Sequence, residues 1–132
     1  MRVVFVHRRG AGQFRHLAAH LGQRGVDVTV VCEHLEGMVP GVRFIRHGPV
    51  PSAPQADRGS GHLTIADDYV QRAHRVAEAL DNLNHTEGSA DVVVGHIGWG
   101  GLLFARDVLP DTPALGYCEY YFHRYGGDIG FN

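Results

Sequence analysis

The residue best suited to chemistry follows a short apolar run in the second half of the chain. His96 comes after residues 92–95 and before the glycine-rich segment 97–101, which contains Trp99. An imidazole held at the end of a buried strand can donate or accept a proton near neutral pH, and the surrounding glycines leave room for a ligand. The segment therefore predicts a catalytic or binding role for His96. The alternative is that His96 is only the polar end of a strand.

A second candidate is a glycine turn near the N-terminus. Gly10 and Gly12 lie between the apolar run 3–6 and an amphipathic stretch that begins at Gln13. Two glycines at this point allow backbone N–H groups at a helix N-terminus to approach a phosphate. The dinucleotide fingerprint needs a third glycine where this chain has Arg15, so a standard NAD(P) site is not predicted. The alternative is that these glycines only form the turn.

The third candidate is an aromatic segment towards the C-terminus. Residues 117–125 contain four tyrosines and one phenylalanine together with Glu119, His123 and Arg124. This mixture of rings, one acid and two bases is typical of a surface that binds a sugar or another ring. The alternative is that Phe122 and Tyr125 pack against a structure outside this chain.

Ten histidines raise the question of a metal site. His7, His96, Glu119 and His123 could converge, but the spacings usual for zinc are missing, and the pair formed by residues 16 and 20 lacks a third ligand. We therefore expect no metal and no cofactor.

The two cysteines lie in apolar runs without a CxxC spacing. Cys32 and Cys118 are expected to be buried, reduced thiols, with a single disulfide as the alternative.

The elements that must position these candidates alternate between strand and helix patterns. Strands are predicted at 3–6, 26–32, 42–45, 92–94 and 114–118, and helices from Gln13 to just before Gly25, over 65–83 and over 102–108. The alternation predicts an α/β fold, an open, parallel, Rossmann-like sheet with helices on both faces. Ligands bind such sheets beyond the carboxyl ends of the strands, which is where the candidates lie. Residues 47–62, rich in proline, glycine and serine, predict a long surface loop.

Length and charge exclude several classes of protein. The chain has 132 residues, 44% of them hydrophobic, and a net charge of −2 at pH 7. These values predict one domain over residues 1–132 and no nucleic-acid partner. No apolar stretch reaches the roughly 18 residues of a membrane span, and no signal peptide is recognisable. We therefore expect a cytoplasmic protein.

Three motifs together resemble one family. They are GQFRHLA at 12–18 after the apolar opening, DVVVGH at 91–96 followed by GWG at 98–100, and GYCEYY at 116–121. The chain resembles the N-terminal domain of bacterial family 4 glycosyltransferases. The resemblance implies half of a GT-B fold and metal-free transfer of a sugar with retention of anomeric configuration. The C-terminal donor-binding domain of that fold is absent here, so the chain alone is expected to be inactive.

The resemblance also implies roles for individual residues. His96 matches the catalytic position that contacts the transferred sugar, and Gly10 and Gly12 match the loop near the donor's phosphates. Trp99, Glu119 and Tyr121 are expected near the acceptor. The stretch 8–11 departs from the polar-aromatic-proline pattern that is usual there in the bacterial subgroup of family 4 enzymes that the chain resembles most closely.

The expected partners follow from the same resemblance. They are a nucleotide-sugar donor, a glycan or lipid-linked acceptor, the missing C-terminal domain and, peripherally, a membrane. A bare cleft face with exposed aromatic rings would promote association, so a homodimer through that face is expected. Two alternatives remain: a stand-alone nucleotide- or sugar-binding module without catalysis, and a metal-dependent hydrolase that uses the histidines.

Overall fold

A parallel sheet of five strands forms the centre of the fold. The computed structural model describes residues 1–48 and 61–119. The strands are β1 (Arg2–Val6), β2 (Asp27–Cys32), β3 (Arg43–Arg46), β4 (Val92–His96) and β5 (Ala114–Tyr117). Their order in the sheet is β3-β2-β1-β4-β5, and every neighbouring pair is parallel. The predicted open α/β sheet is confirmed.

Alternating residues of β1 explain why helices cover both faces. Val3 and Phe5 join the apolar cluster that contains Ala18 of helix α1 (Arg15–Gln23). Val4 and Val6 join the opposite cluster, which contains residues of α2 (Gly61–Glu87) and α3 (Ala105–Val108). Successive side chains of a strand point to opposite faces, so an unbroken apolar run needs cover on both.

All three predicted helices differ from the observed ones at their N-termini, and α1 begins at Arg15 rather than at Gln13. α2 begins at Gly61 rather than Ile65, so its first turn takes up the end of the predicted loop 47–62. Leu63 and Ile65 are exposed near this start of the helix. Residues 102–104, predicted as helix, form turns before α3 instead. The predicted loop residues 49–60 lie outside the described part of the chain.

The strand order creates a crevice between β1 and β4. The chain builds the sheet outward from β1 through β2 to β3, then returns to the other side of β1 to add β4 and β5. Ligands in open α/β sheets bind at such a reversal, beyond the carboxyl ends of the strands. His7, directly after β1, and His96, the last residue of β4, meet at this point. None of the helices in the described ranges is long and apolar enough to cross a membrane.

Candidate functional site

His96 is held by hydrogen bonds at both ring nitrogens. The backbone nitrogen of Gly98 donates to Nδ1 at 3.0 Å, and Nε2 lies 3.0 Å from Oε2 of Glu119. Because Nδ1 accepts a hydrogen bond, the proton of the neutral ring lies on Nε2, and this N–H donates a hydrogen bond to the Glu119 carboxylate. The ring is only 4% exposed. Tautomer and orientation are thus both fixed.

Aromatic rings surround His96 on several sides. Its ring centroid lies 5.8 Å from that of Trp99, 5.8 Å from that of Tyr117 and 5.9 Å from that of His7. Phe14 lies in the 3₁₀ turn Gly12–Phe14 before α1 and contacts both His7 and Tyr117 edge to face. The strands β1, β4 and β5 therefore contribute to one cluster at the reversal point.

A cleft opens beside the pair formed by His96 and Glu119. It has a volume of about 400 Å³ and is also lined by Tyr69, Trp99 and Cys118. Small-molecule sites fall between about 300 and 1,000 Å³ and combine apolar walls with a few polar groups. The Glu119 side chain is 34% exposed, so a ligand could reach its carboxylate. The arrangement suits a small polar molecule that also offers a ring or apolar face.

The loop after β1 has a different construction. Gly12 has a φ of +47°, and a Cβ there would overlap the imidazole of His7. The backbone nitrogen of Gly10 donates to the His34 carbonyl at 2.8 Å, and that of Gly12 donates to the Arg9 carbonyl at 3.1 Å. These two N–H groups are already bonded within the protein. Their predicted contact with a phosphate stays a prediction.

Side chains give this loop its charge. Arg9 and Arg15 line a second open cavity of about 530 Å³ beside Gly12 and Gln13. His7 lies behind them, where the backbone nitrogen of Arg9 donates to its Nδ1 at 3.0 Å. Burial lowers the pKa of His7 because it disfavours the charged imidazolium. An anion at this loop would therefore meet guanidinium groups rather than a charged His7.

A buried ion pair lies below both loops, and sequence reasoning missed its role. Glu33 follows β2 and is 5% exposed, and Arg72 of α2 is 4% exposed. Their Nε and Oε2 atoms are 3.0 Å apart, and Nε of Arg8 lies 3.4 Å from the same oxygen. Burial alone would raise the pKa of Glu33, but the hydrogen bond and charge of Arg72 and the charge of Arg8 lower it below its usual range. The signal in the sequence is Arg72 itself, a charged residue within the apolar stripe of its helix.

The remaining predictions have mixed outcomes. His96, Trp99 and Glu119 come together, whereas Tyr121 lies outside the described residues. Cys32 is buried as expected, but the prediction for Cys118 was wrong: this residue follows the edge strand β5 and is exposed, and both thiols are free. Within residues 1–48 and 61–119, no group of three or more His, Cys, Asp or Glu side chains could hold a metal ion.

Comparison with known proteins gives a family match and several structural neighbours. A family model described as "Glycosyl transferase family 4 group" matches residues 24–132. Apo UGT2 from Phytolacca americana is similar with a TM-score of 0.58 and 18% identity, over 88% of this chain and 28% of that one. The C-terminal domain of a hydrogenase from Pyrococcus furiosus has a TM-score of 0.62 and 20% identity, over 88% of this chain and 90% of the other. No curated protein matches. At these identities the two structures support the fold alone.

Proposed function

The chain belongs to the glycosyl transferase family 4 group, and on this basis we propose that it is the acceptor-side domain of a retaining GT-B glycosyltransferase. The complete enzyme transfers a sugar from a nucleotide-sugar donor to a glycan or lipid-linked acceptor. A C-terminal domain grips the donor, so this chain alone is inactive. A cytoplasmic location belongs to the same proposal, and the two free thiols support it because reduced cysteines are usual there.

The observation that carries the proposal is the hydrogen-bonded pair of His96 and Glu119 in the cleft. Transfer breaks the bond between the anomeric carbon and the phosphate oxygen, and the leaving phosphate keeps the electron pair. Positive charge develops at the carbon until the acceptor oxygen bonds there, and the proton of that oxygen passes to the leaving phosphate. The His96 ring and the Glu119 carboxylate that it holds at the cleft wall can orient sugar hydroxyls, and the negative charge of the carboxylate can stabilise the positive charge at the anomeric carbon without rearranging.

His96 is the catalytic residue in this proposal, and Trp99, Glu119 and Tyr121 contact the acceptor. The Trp99 ring offers an apolar face to a sugar, and the partly exposed Glu119 carboxylate accepts hydrogen bonds from hydroxyl groups. On the other side of His7, the loop with Gly10 and Gly12 faces the donor's phosphates. Closure of the two domains over the cleft excludes water from the reaction.

The exposed face beside the cleft is proposed to associate when the second domain is not present. Ile97 is 52% exposed, Leu115 is 58% exposed and Tyr117 is 42% exposed. Apolar surface of this kind favours contact with another protein surface. Homodimers of this chain in concentrated solution, measured by light scattering, are expected; a strict monomer would argue against them. Peripheral contact with a membrane through the acceptor is part of the same proposal.

The decisive experiment assays the protein with its C-terminal domain against a panel of UDP- and GDP-sugars. His96→Ala should lower kcat by about 10²- to 10³-fold, as the loss of one preorganised donor does. His20→Ala is the matched control, because His20 lies exposed on α1. No transfer by the unsubstituted protein with any donor would overturn the proposal.

A stand-alone binding module is the second candidate, favoured by the cleft of about 400 Å³ that Tyr69, Trp99 and Glu119 line. Calorimetry on the 132-residue chain separates the two candidates. Micromolar binding of a sugar nucleotide that His96→Ala abolishes would favour the module. No detectable binding by this chain, together with transfer by the longer protein, would favour the half-enzyme.

A further inference from the structure

The buried pair of Glu33 and Arg72 needs a reason beyond stability. Both side chains are almost fully removed from water, at 5% and 4% exposure. Moving two charges out of water costs about as much as their attraction returns, so a buried ion pair is weak evidence for a gain in stability. An apolar pair could fill the same space. The role of the pair therefore depends on the contacts that Arg72 and Glu33 make with other residues.

The guanidinium group of Arg72, a planar fork of N–H donors, bonds to two loops. Nε bonds to the Glu33 carboxylate at 3.0 Å, and Nη1 donates to the backbone carbonyl of Trp99, also at 3.0 Å. The guanidinium carbon lies 5.9 Å from the centre of the Tyr69 ring. A planar group with fixed donors loses little freedom when it binds two acceptors, which a single ammonium cannot match. Arg72 thus joins the end of β2 to the loop after β4.

Glu33 is itself firmly held. Its backbone nitrogen donates to the Arg8 carbonyl at 3.1 Å, and its own carbonyl accepts from Nε of Arg46 at 3.2 Å. Its carboxylate also lies within 3.4 Å of Arg8 and within 3.6 Å of His34. Because Arg8 after β1, Arg46 of β3 and Arg72 of α2 all bond to it, Glu33 is an anchor that moves only with the sheet.

The Trp99 carbonyl, in contrast, belongs to the segment that holds His96. Trp99 ends the 3₁₀ turn Ile97–Trp99, and Gly98 in the same turn donates the hydrogen bond to Nδ1 of His96. The Trp99 ring is a wall of the cleft, with Arg8 stacked 5.7 Å from its centre. A shift of the Trp99 carbonyl would therefore move a cleft wall and the group that fixes the His96 tautomer.

We propose that Arg72 is a positioning residue that, anchored by Glu33, sets the place of residues 96–99 and so the geometry of the cleft. The link from Arg72 to Trp99 stands on the contacts above. Its effect on sugar transfer rests on the proposed function.

The single tryptophan of the chain makes a direct test available. In Arg72→Lys the charge beside Glu33 is kept but the fork is lost. We expect the Trp99 emission to shift to the red and acrylamide quenching to rise, at temperatures where circular dichroism shows a folded protein. Arg75→Lys is the control, because Arg75 lies one turn further along α2 and lines a separate groove. Both Trp99 signals should be unchanged in it.

Two results would overturn the inference. One is a Trp99 signal in folded Arg72→Lys that equals that of the unsubstituted chain. The other is an equal change in Arg75→Lys, which would mean that α2 as a whole, and not the fork, sets the loop. If Arg72→Lys does not fold, Glu33→Gln answers the question, because it leaves Arg72 without a charged anchor and should give the same shift.

The transferase assay supplies the functional readout. With the C-terminal domain present, Arg72→Lys should lower kcat by about 10²-fold with little change in KM, the loss that a displacement of about 1 Å can cause. A merely structural role would lower the thermal midpoint and leave kcat at low temperature unchanged. If the unsubstituted protein transfers no sugar, the proposed function fails, while the Trp99 measurements still decide the role of Arg72.

Discussion

Two glycine-rich loops leave neighbouring strands at the same edge of the sheet, yet they are built for different tasks. In the loop after β4, His96 has partners at both ring nitrogens, and Arg72 holds the Trp99 carbonyl. In the loop after β1, the backbone nitrogens of Gly10 and Gly12 bond to nearby carbonyls. The family match covers residues 24–132, so it includes the loop after β4 and not the loop after β1.

The comparison teaches that glycine in a loop does not by itself indicate a ligand. Gly12 makes room for the His7 ring, and Gly100 makes room for the backbone of α2 at Tyr69. In both loops the space beside a glycine is already filled by the protein. What distinguishes the β4 loop is the set of polar groups that converge on His96 and on the Trp99 carbonyl.

The largest expected effect is that of Gly100→Ala. Gly100 has a φ of +77°, and a Cβ there would lie 2.7 Å from the Tyr69 carbonyl oxygen. We expect a loss of about 2 to 5 kcal/mol in unfolding free energy, from about 1–2 for the left-handed backbone and about 1–3 for overpacking. Gly25→Ala is the control, with the same φ and nothing within 4 Å, so only the first term applies. Equal losses in urea denaturation would contradict the close packing of the β4 loop against α2.

Gly12→Ala should cost less, because the atom it meets belongs to a side chain that can move. We expect a loss of about 1–3 kcal/mol. In a His7→Ala background the overlap with the imidazole disappears, and the same substitution should cost only the backbone strain, about 1–2 kcal/mol. A double-mutant cycle by urea denaturation measures this coupling. If the cost were identical in both backgrounds, His7 would not be the reason for the glycine.

A smaller effect is expected in how the unfolding free energy depends on pH. Burial lowers the pKa of His7 in the folded protein, so the unfolded chain takes up that proton more readily. The stability that a neutral His7 gives is complete above the pKa of histidine in the unfolded chain, about 6.5, and it declines as the pH falls through that pKa. Unfolding free energies measured between about pH 7.5 and pH 5 should therefore fall less steeply for His7→Gln than for the unsubstituted chain.

The exposed residue His20 supplies the matched control for that titration. His20→Gln should keep the slope of the unsubstituted chain. His47 is also buried with a lowered pKa, so some slope should remain in His7→Gln. A His7→Gln profile parallel to that of the unsubstituted chain would contradict the burial effect at the β1 loop.

The smallest effect on stability should come from Arg9→Gln. Arg9 pairs with Glu36 at 3.8 Å, with side chains 67% and 53% exposed, and such surface pairs contribute about 0–1 kcal/mol. Binding of inorganic pyrophosphate at the β1 loop should nevertheless weaken if guanidinium groups meet the anion, and calorimetry checks this. Unchanged pyrophosphate binding in Arg9→Gln would indicate that the backbone of the loop, and not the Arg9 guanidinium, binds the anion.

The sequence patterns predicted the sheet well because its central strands are apolar on both faces. Val4 and Phe5 of β1 are fully buried, and only a parallel sheet between two layers of helices buries such a run. Boundaries were harder where burial is weak. Leu63, near the start of α2, is exposed, so the start of the helix at Gly61 could not be read from the apolar stripe that begins at Ile65.

The candidate site was likewise predicted only in part. The rule that ligands bind at strand ends brought His96, Trp99 and Glu119 into one region, as the structure has them. The bond from Arg72 to Glu33 joins residues 39 apart in the chain. No local pattern encodes that distance; it depends on how α2 crosses the sheet. A charge on the buried face of a helix was the one available hint.

The central position of β1 also sets the order in which the molecule can be completed. Val3 pairs with Val28 on one side but with Val92 on the other. One edge of β1 therefore has no partner until residues 92–95 have been made. Contacts so distant in sequence form slowly, and an open strand edge invites aggregation meanwhile. We expect the meeting of His7 and His96 to be among the last events of folding, so the cleft and the finished sheet form together.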